Sequence, residues 1–110
     1  MDDLSLKKCV PCEGGVKPFT REQAQEYLDY RSGWSLSENG QCITREFAFK
    51  DFSEAFGFLT HVAVLAEREG HHPDIELRYN RVFLSLTTHA IKGLSENDFI
   101  MAAKIDTIEK

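Results

Sequence analysis

Three imidazoles could do proton chemistry in this chain: His71 and His72, side by side in "EREGHHPDIELRYN", and His89, which follows "RVFLSLTT". A neutral imidazole, with an ordinary pKa of about 6.5, accepts and donates protons near neutrality without a cofactor. Glu67 stands one helical turn before His71, where a carboxylate can orient a ring or raise its pKa. Two other readings compete. A single histidine at the end of an element often does no more than satisfy a backbone carbonyl, and three histidines with a carboxylate could hold a metal. Adjacent histidines suit a metal poorly, because ligand pairs on one element are usually spaced HxH on a strand or HxxxH on a helix, so that both rings face the same way. Proton transfer without a resident metal or other cofactor is therefore the expectation.

Whether the rings meet depends on the elements that carry them. Thr20 and Gln23 form a capping-box signature, and Ala24, Tyr27 and Leu28 recur at helical spacing, which predicts a helix over about residues 20–31, stopped by Gly33. Asn39 and Gly40 mark a hairpin turn, with Ile43, Arg45, Phe47 and Phe49 on one face of the strand that follows. "DFSEAFGFLTHVAVLAERE" predicts a long helix, capped by Asp51 or Ser53 and ending before Gly70. Its stripe of Phe52, Ala55, Phe56, Leu59, Val62, Ala63 and Ala66 is widened by Phe58 and Leu65 beyond the ~100° that an amphipathic helix needs. The helix is either deeply embedded in its own core or shared between the sheet and a partner subunit. His61 falls on its polar face.

Beyond the histidine pair, Ile75, Leu77 and Tyr79 alternate in one strand and Val82, Leu84 and Leu86 in the next, joined through Asn80 and Arg81. Ser95 and Asp98 form a second capping box, ahead of Phe99, Ile100, Ala103, Ile105 and Ile108 on a last helix. The order helix, hairpin, helix, hairpin, helix predicts an α+β fold: a four-stranded antiparallel sheet with three helices on one face. One domain is expected over residues 1–110, with an irregular leader over 1–18.

These elements predict a meeting point. Gly70 is the natural left-handed cap of the long helix, so the chain bends just before His71, and Pro73 pushes His72 toward extended backbone. Neighbours in extended backbone point to opposite sides, and the bend is what allows both rings to turn toward one hollow. His89 lies at the far end of the last strand, which the hairpin returns to the level where the preceding strand begins. His71, His72 and His89 are thus expected at one corner of the sheet.

Composition narrows the function classes. The chain has 110 residues, 42% hydrophobic and 28% charged, in the range of an ordinary globular domain. Its net charge of −5 opposes binding to nucleic acid or to an anionic membrane surface. "MDDLSLKKCV" lacks the basic start and apolar core of a signal peptide, and "HVAVLA" is far too short to span a bilayer. A cytoplasmic location is expected. Cys9, Cys12 and Cys42 form neither a disulfide framework nor a four-cysteine zinc site, and "CVPC" does not open a helix after a strand as a redox pair would. Reduced, chemically idle cysteines are expected.

The run "HHPDIELRYNRVFLSLTTH", with Glu67 before it and "GLSENDF" after it, resembles the signature of the pterin-4a-carbinolamine dehydratases: His-His-Pro, Tyr-Asn at a hairpin turn, alternating apolar residues, then Thr-His. The likeness covers nearly the whole chain, including Gly33–Trp34 and "CEGG" in the leader. It implies a dehydratase that removes water from 4a-hydroxytetrahydropterin to give quinonoid dihydropterin, recycling the cofactor of aromatic amino acid hydroxylases, so that the pterin is substrate. It also implies a functional link to such a hydroxylase. The resemblance further implies His71, His72 and His89 as active-site histidines, with Glu67, Trp34, Pro73 and Asp98 around the same groove. Within that set His71 is expected as principal acid/base, His89 as its partner, His72 as a holder of the pterin edge and Trp34 as an apolar wall. Where some members carry an acidic residue just before the paired histidines, this chain has Gly70, so charge support for His71 must come from Glu67 or Asp98. The family forms homodimers and homotetramers. Animal members also act as dimerization cofactors of a transcription factor through the long helix, which makes a non-catalytic dimerization or transcriptional-cofactor module the alternative.

Overall fold

The structure, a computed structural model, describes residues 4–9, 17–28 and 33–108. In chain order these form α1 (Arg21–Leu28), β1 (Ser35–Leu36), β2 (Ile43–Ala48), α2 (Phe52–Glu69), β3 (Asp74–Arg78), β4 (Arg81–Leu86) and α3 (Glu96–Asp106). Short 3-10 turns stand at Leu4–Leu6 and His89–Ile91. The four strands make one antiparallel sheet in the order β1-β2-β4-β3. The α+β architecture expected from the sequence is the one observed.

Alternation places Val82, Leu84 and Leu86 of β4 on the core face, all buried. Across the ladder, Phe47 of β2 pairs with Val82 and Ile43 with Leu86. On the other side Leu77 of β3 pairs with Val82. Against this face α2 sets Ala55, Phe58, Val62 and Ala66, spaced at one helical stripe, and Phe58 meets the rings of Phe47 and Phe49 at 4.8 and 5.0 Å. Each large apolar side chain so covered contributes roughly 1.5–3 kcal/mol. α3 is buried almost all round, from Phe99 to Ala103 and again at Ile105.

The structure redraws the stripe of α2. Phe52, Phe56 and Val64 are 48%, 55% and 54% exposed, so the core flank is narrower than expected and a second, apolar flank faces outward. Asp51, rather than Ser53, caps the helix by accepting the Glu54 amide at 2.9 Å. At the other end Gly70 has φ +68, and its amide and that of His71 both return to the Ala66 carbonyl, at 2.9 and 3.3 Å. That left-handed residue is the bend which aims His71.

One local expectation is corrected. Tyr79, expected on the β3 face, occupies the hairpin turn with φ +49 and is exposed, because Arg78 already pairs with Arg81 and leaves Tyr79 and Asn80 as the loop. The first hairpin turns through Asn39 and Gly40 as expected, with the Gly40 amide on the Ser37 carbonyl at 2.9 Å and Gly40 at φ +73, and Ser35–Leu36 pair with β2. Within the leader, Leu4–Leu6 form a 3-10 turn and Leu4 is buried in the core. Residues 29–31 of the expected first helix lie outside the described residues, as does Cys12.

Candidate active site

Asp98 is the electrostatic centre of the histidine corner, and its carboxylate is fully buried. One oxygen, Oδ1, lies 2.6 Å from His71 Nε2. The other, Oδ2, accepts the Thr88 hydroxyl at 2.8 Å and the Ser95 amide at 2.9 Å. A carboxylate has only acceptor sites, so the His71 nitrogen facing it carries the hydrogen, and in the neutral ring the lone pair sits on Nδ1. The Thr88 hydroxyl hydrogen is spent on Asp98, so in its 2.8 Å contact with Ser95 Oγ the serine donates. A one-way chain of donors thus runs Ser95, Thr88, Asp98, while the same Asp98 closes the capping box at the start of α3.

His72 takes the other carboxylate. Its Nε2 is hydrogen-bonded to Glu67 Oε2, and both side chains are largely exposed. Glu67 therefore orients His72 and not His71, the ring for which its helical spacing first suggested it. The bend at Gly70 is the reason, because it turns His71 inward toward α3 and leaves His72 over the outer face of α2.

His89 arrives from the opposite side. β4 ends at Leu86, and the chain then closes a loop through an isolated bridge, with the Thr88 amide on the Gly93 carbonyl at 2.9 Å. Gly93 is required there, since a Cβ would meet Pro18 Cβ at 2.6 Å. Thr87 Oγ1 pins the loop to the Gln41 carbonyl at 2.6 Å. So held, exposed His89 opens the 3-10 turn beside the histidine pair.

His71, His72 and His89 line one hollow of about 390 Å³, together with Thr88, Cys9 and Glu69. That volume lies within the range of small-molecule sites. A wider depression of about 620 Å³ spreads over the open face of the sheet, between Thr44, Glu46, Asp74 and Phe83, and it contains no imidazole or thiol. The three imidazoles gather in the smaller hollow. Among the described residues no group of three or more His, Cys, Asp or Glu side chains is arranged to hold a metal ion.

Of the other expected site residues, Asp98 and Glu67 reach the hollow only through the rings they hold, and Trp34 and Pro73 do not line it. Trp34 is 5% exposed in the core, with its ring edge-on to Phe47 and its indole nitrogen donating to Asp106 at 3.0 Å. Asp106 ends α3 while Asp98 is in its first turn, so Trp34 packs at the far end of that helix and does not line the hollow. Pro73 is buried next to His72 and is likewise not among the lining residues.

Thr88, Cys9 and Glu69 were not singled out from sequence. Thr88 had a signal, since it stands in the Thr-His that precedes the loop, whereas nothing in "KKCVPC" indicates that Cys9 folds back onto this hollow. Burial first, then the Glu69 carboxylate, pushes the Cys9 thiol up from 9.0 to about 12. A thiol raised in the fold loses its proton earlier in the unfolded chain. This group is therefore neutral toward stability below about 9 and disfavours the fold as pH rises from about 9 toward 12. Alkylation of Cys9 in a Cys12→Ser/Cys42→Ser protein is expected to be at least about a hundredfold slower at pH 8.5 than in the denatured chain, because the thiolate is the reactive form. Iodoacetamide labelling followed by mass spectrometry checks this, and equal rates would contradict it.

Residues 17–108 match the family model for pterin 4 alpha carbinolamine dehydratase. A protein of Azoarcus sp. (strain BH72) is 47% identical over 108 residues, covering 98% of this chain and 92% of the relative. One of Halorhodospira halophila is 47% identical over 105 residues, covering 96% of each. Both are named, provisionally, as pterin-4-alpha-carbinolamine dehydratases. A crystal structure from Brucella melitensis, described as a transcriptional coactivator/pterin dehydratase, superimposes with a TM-score of 0.78 at 41% identity, covering 82% of this chain and 96% of that one. A pterin dehydratase-like protein described as a RuBisCO assembly factor shares the fold, with a TM-score of 0.60 at 24% identity, over 70% of this chain and 89% of its own. A family match over residues 17–108 and relatives 47% identical over nearly the whole length assign the chain to the pterin-4-alpha-carbinolamine dehydratase family.

Proposed function

We propose that the chain dehydrates 4a-hydroxytetrahydropterin to quinonoid dihydropterin by histidine acid/base catalysis, and so returns the pterin of aromatic amino acid hydroxylases for reduction. The observation that carries this is the pairing of His71 with buried Asp98 in a hollow that His72 and His89 also line. The hydroxyl on C4a leaves as water and N5 gives up its proton, so one group must donate a proton and another accept one. His71, fixed by Asp98 through Nε2, presents Nδ1 for one transfer, and His89 across the hollow serves the other. His72, held by Glu67, contacts the pterin edge. The reaction needs no resident cofactor, and such positioned groups typically contribute ~10²–10⁴ in rate. Trp34 acts through the core and not as a wall of the groove.

Stopped-flow absorbance with freshly generated 4a-hydroxytetrahydropterin tests the proposal. The protein is expected to accelerate dehydration over buffer alone, and identical traces would overturn it.

The exposed apolar flank of α2, with Phe52 and Phe56 in ring contact at 5.9 Å, favours self-association as a homodimer or homotetramer. No helix among the described residues is long and apolar enough to cross a membrane, so a bilayer-spanning role for this flank has no support there. Light scattering on the purified protein is expected to give a multiple of 12.6 kDa. A monomer would instead leave the flank free for a foreign protein, which is the non-catalytic cofactor reading.

A further inference from the structure

The segment Leu4–Cys9 reaches the hollow from outside the family-matched stretch, which begins at residue 17. It is fastened along its length. Leu4 is buried in the core, and Lys104 of α3 donates to the Ser5 carbonyl at 2.9 Å. Glu69, the last residue of α2, accepts the Cys9 amide on Oε1 at 2.9 Å, while its Oε2 lies 3.8 Å from Lys104 Nζ. The side chains of Glu69 and Lys104 are only 7% and 16% exposed. A loosely spaced, largely desolvated ion pair adds little stability of its own. What this pair achieves is position, since between them the two groups hold Ser5 and Cys9.

Cys9 in turn offers the hollow no free donor. Its amide hydrogen goes to Glu69, and its thiol, kept protonated by burial, donates to the Asn97 carbonyl at 3.7 Å. A surface with its donors spent suits an alkyl-linked substituent better than the aminopyrimidinone edge of a pterin, whose polar groups need partners once desolvated. The substituent of a pterin sits on C6, next to the N5 that must lose its proton among the imidazoles, so it projects toward a wall flanking the histidines.

We propose that Cys9, at the end of the Leu4–Cys9 strap, is the specificity-determining wall of the hollow, facing the C6 substituent of the substrate, with Glu69 as the positioning residue that sets it. This rests on the dehydratase reading above. The test is steady-state dehydration of two substrates, the 6-methyl and the 6-(1,2-dihydroxypropyl) 4a-hydroxytetrahydropterins, by wild type and by Cys9→Phe, Glu69→Leu and Glu69→Gln. Cys9→Phe is expected to raise the ratio of KM for the larger substrate to KM for the 6-methyl substrate about tenfold, the scale of a steric intrusion into a packed site. Glu69→Leu releases the Cys9 amide and is expected to bring the two KM values together, whereas Glu69→Gln keeps an acceptor and retains the wild-type ratio. If Cys9→Phe does not fold, Cys9→Leu reads the same ratio with a smaller side chain. An active wild type whose KM ratio is unmoved in folded Cys9 and Glu69 variants overturns the strap alone. A wild type that dehydrates neither substrate overturns the dehydratase reading, and this inference with it.

Discussion

Replacing His71 with alanine is expected to lower kcat/KM by about 10²–10⁴, which corresponds to roughly 3–5 kcal/mol of lost transition-state stabilisation, with KM little changed. The ring is 12% exposed, and its contact with Asp98 is the shortest of that carboxylate's three. Removing it strips one donor from a buried acceptor, at a cost of about 1–3 kcal/mol. That is within the usual 5–15 kcal/mol of a folded domain, so the variant stays folded with a lowered melting temperature. His89→Ala gives the contrast. Its side chain is exposed at the mouth of the hollow, so a comparable loss of activity is expected with almost no change in melting. Stopped-flow rates and thermal melts on the two proteins separate these effects, and a fully active His71→Ala protein would contradict the assignment.

Asp98→Ala is expected to produce the largest combined effect. It leaves the Ser95 amide, the Thr88 hydroxyl and His71 without their common acceptor and removes half of the capping box of α3. Loss of one partner from a buried, hydrogen-bonded charged group costs about 3–5 kcal/mol, and the cap adds about 1. Activity is expected to fall by at least the His71→Ala factor. Asp98→Asn separates the two roles. An amide can still accept from the Ser95 and Thr88 side through its oxygen, which then turns its NH₂ on the His71 Nε2–H, so the imidazole must change tautomer or lose its anchor. Little stability loss with a rate fall of about 10² or more is expected, by urea titration and kinetics. Wild-type turnover in Asp98→Asn would show that the carboxylate charge is dispensable.

Much of this corner could be read from the sequence because its determinants are local. The Gly70 bend and the Ser95–Asp98 box each follow from residue type at a fixed spacing, and the structure has both. The return of β4 to the level of β3 follows from hairpin geometry, which is why His89 could be placed beside the pair. The sequence leaves both Glu67 and Asp98 open as the carboxylate of His71, and the fold selects Asp98. Glu67 stands at helical spacing to His71, but helical spacing stops at a left-handed cap, and a residue past the bend is governed by whatever packs there, in this case α3.

Trp34 packs in the core for a related reason. Its indole needs both an apolar bed and an acceptor, and Phe47 with Asp106 supplies them in the core. Phe52 and Phe56 fit the helical stripe as well as Phe58 does, and only the position of the sheet decides which flank is covered. Leu4 and Cys9 carry no periodic signal at all, because a strap is held by single contacts from distant elements.

The account rests on proton transfer between imidazoles from two chain segments across one hollow, and the His71→Ala/His89→Ala double variant tests it most directly. Mixed in a stopped-flow cell with freshly generated 4a-hydroxytetrahydropterin, the double variant is expected to match the buffer rate while wild type outruns it by at least about 10². Dehydration by the folded double variant at the wild-type rate would contradict the account.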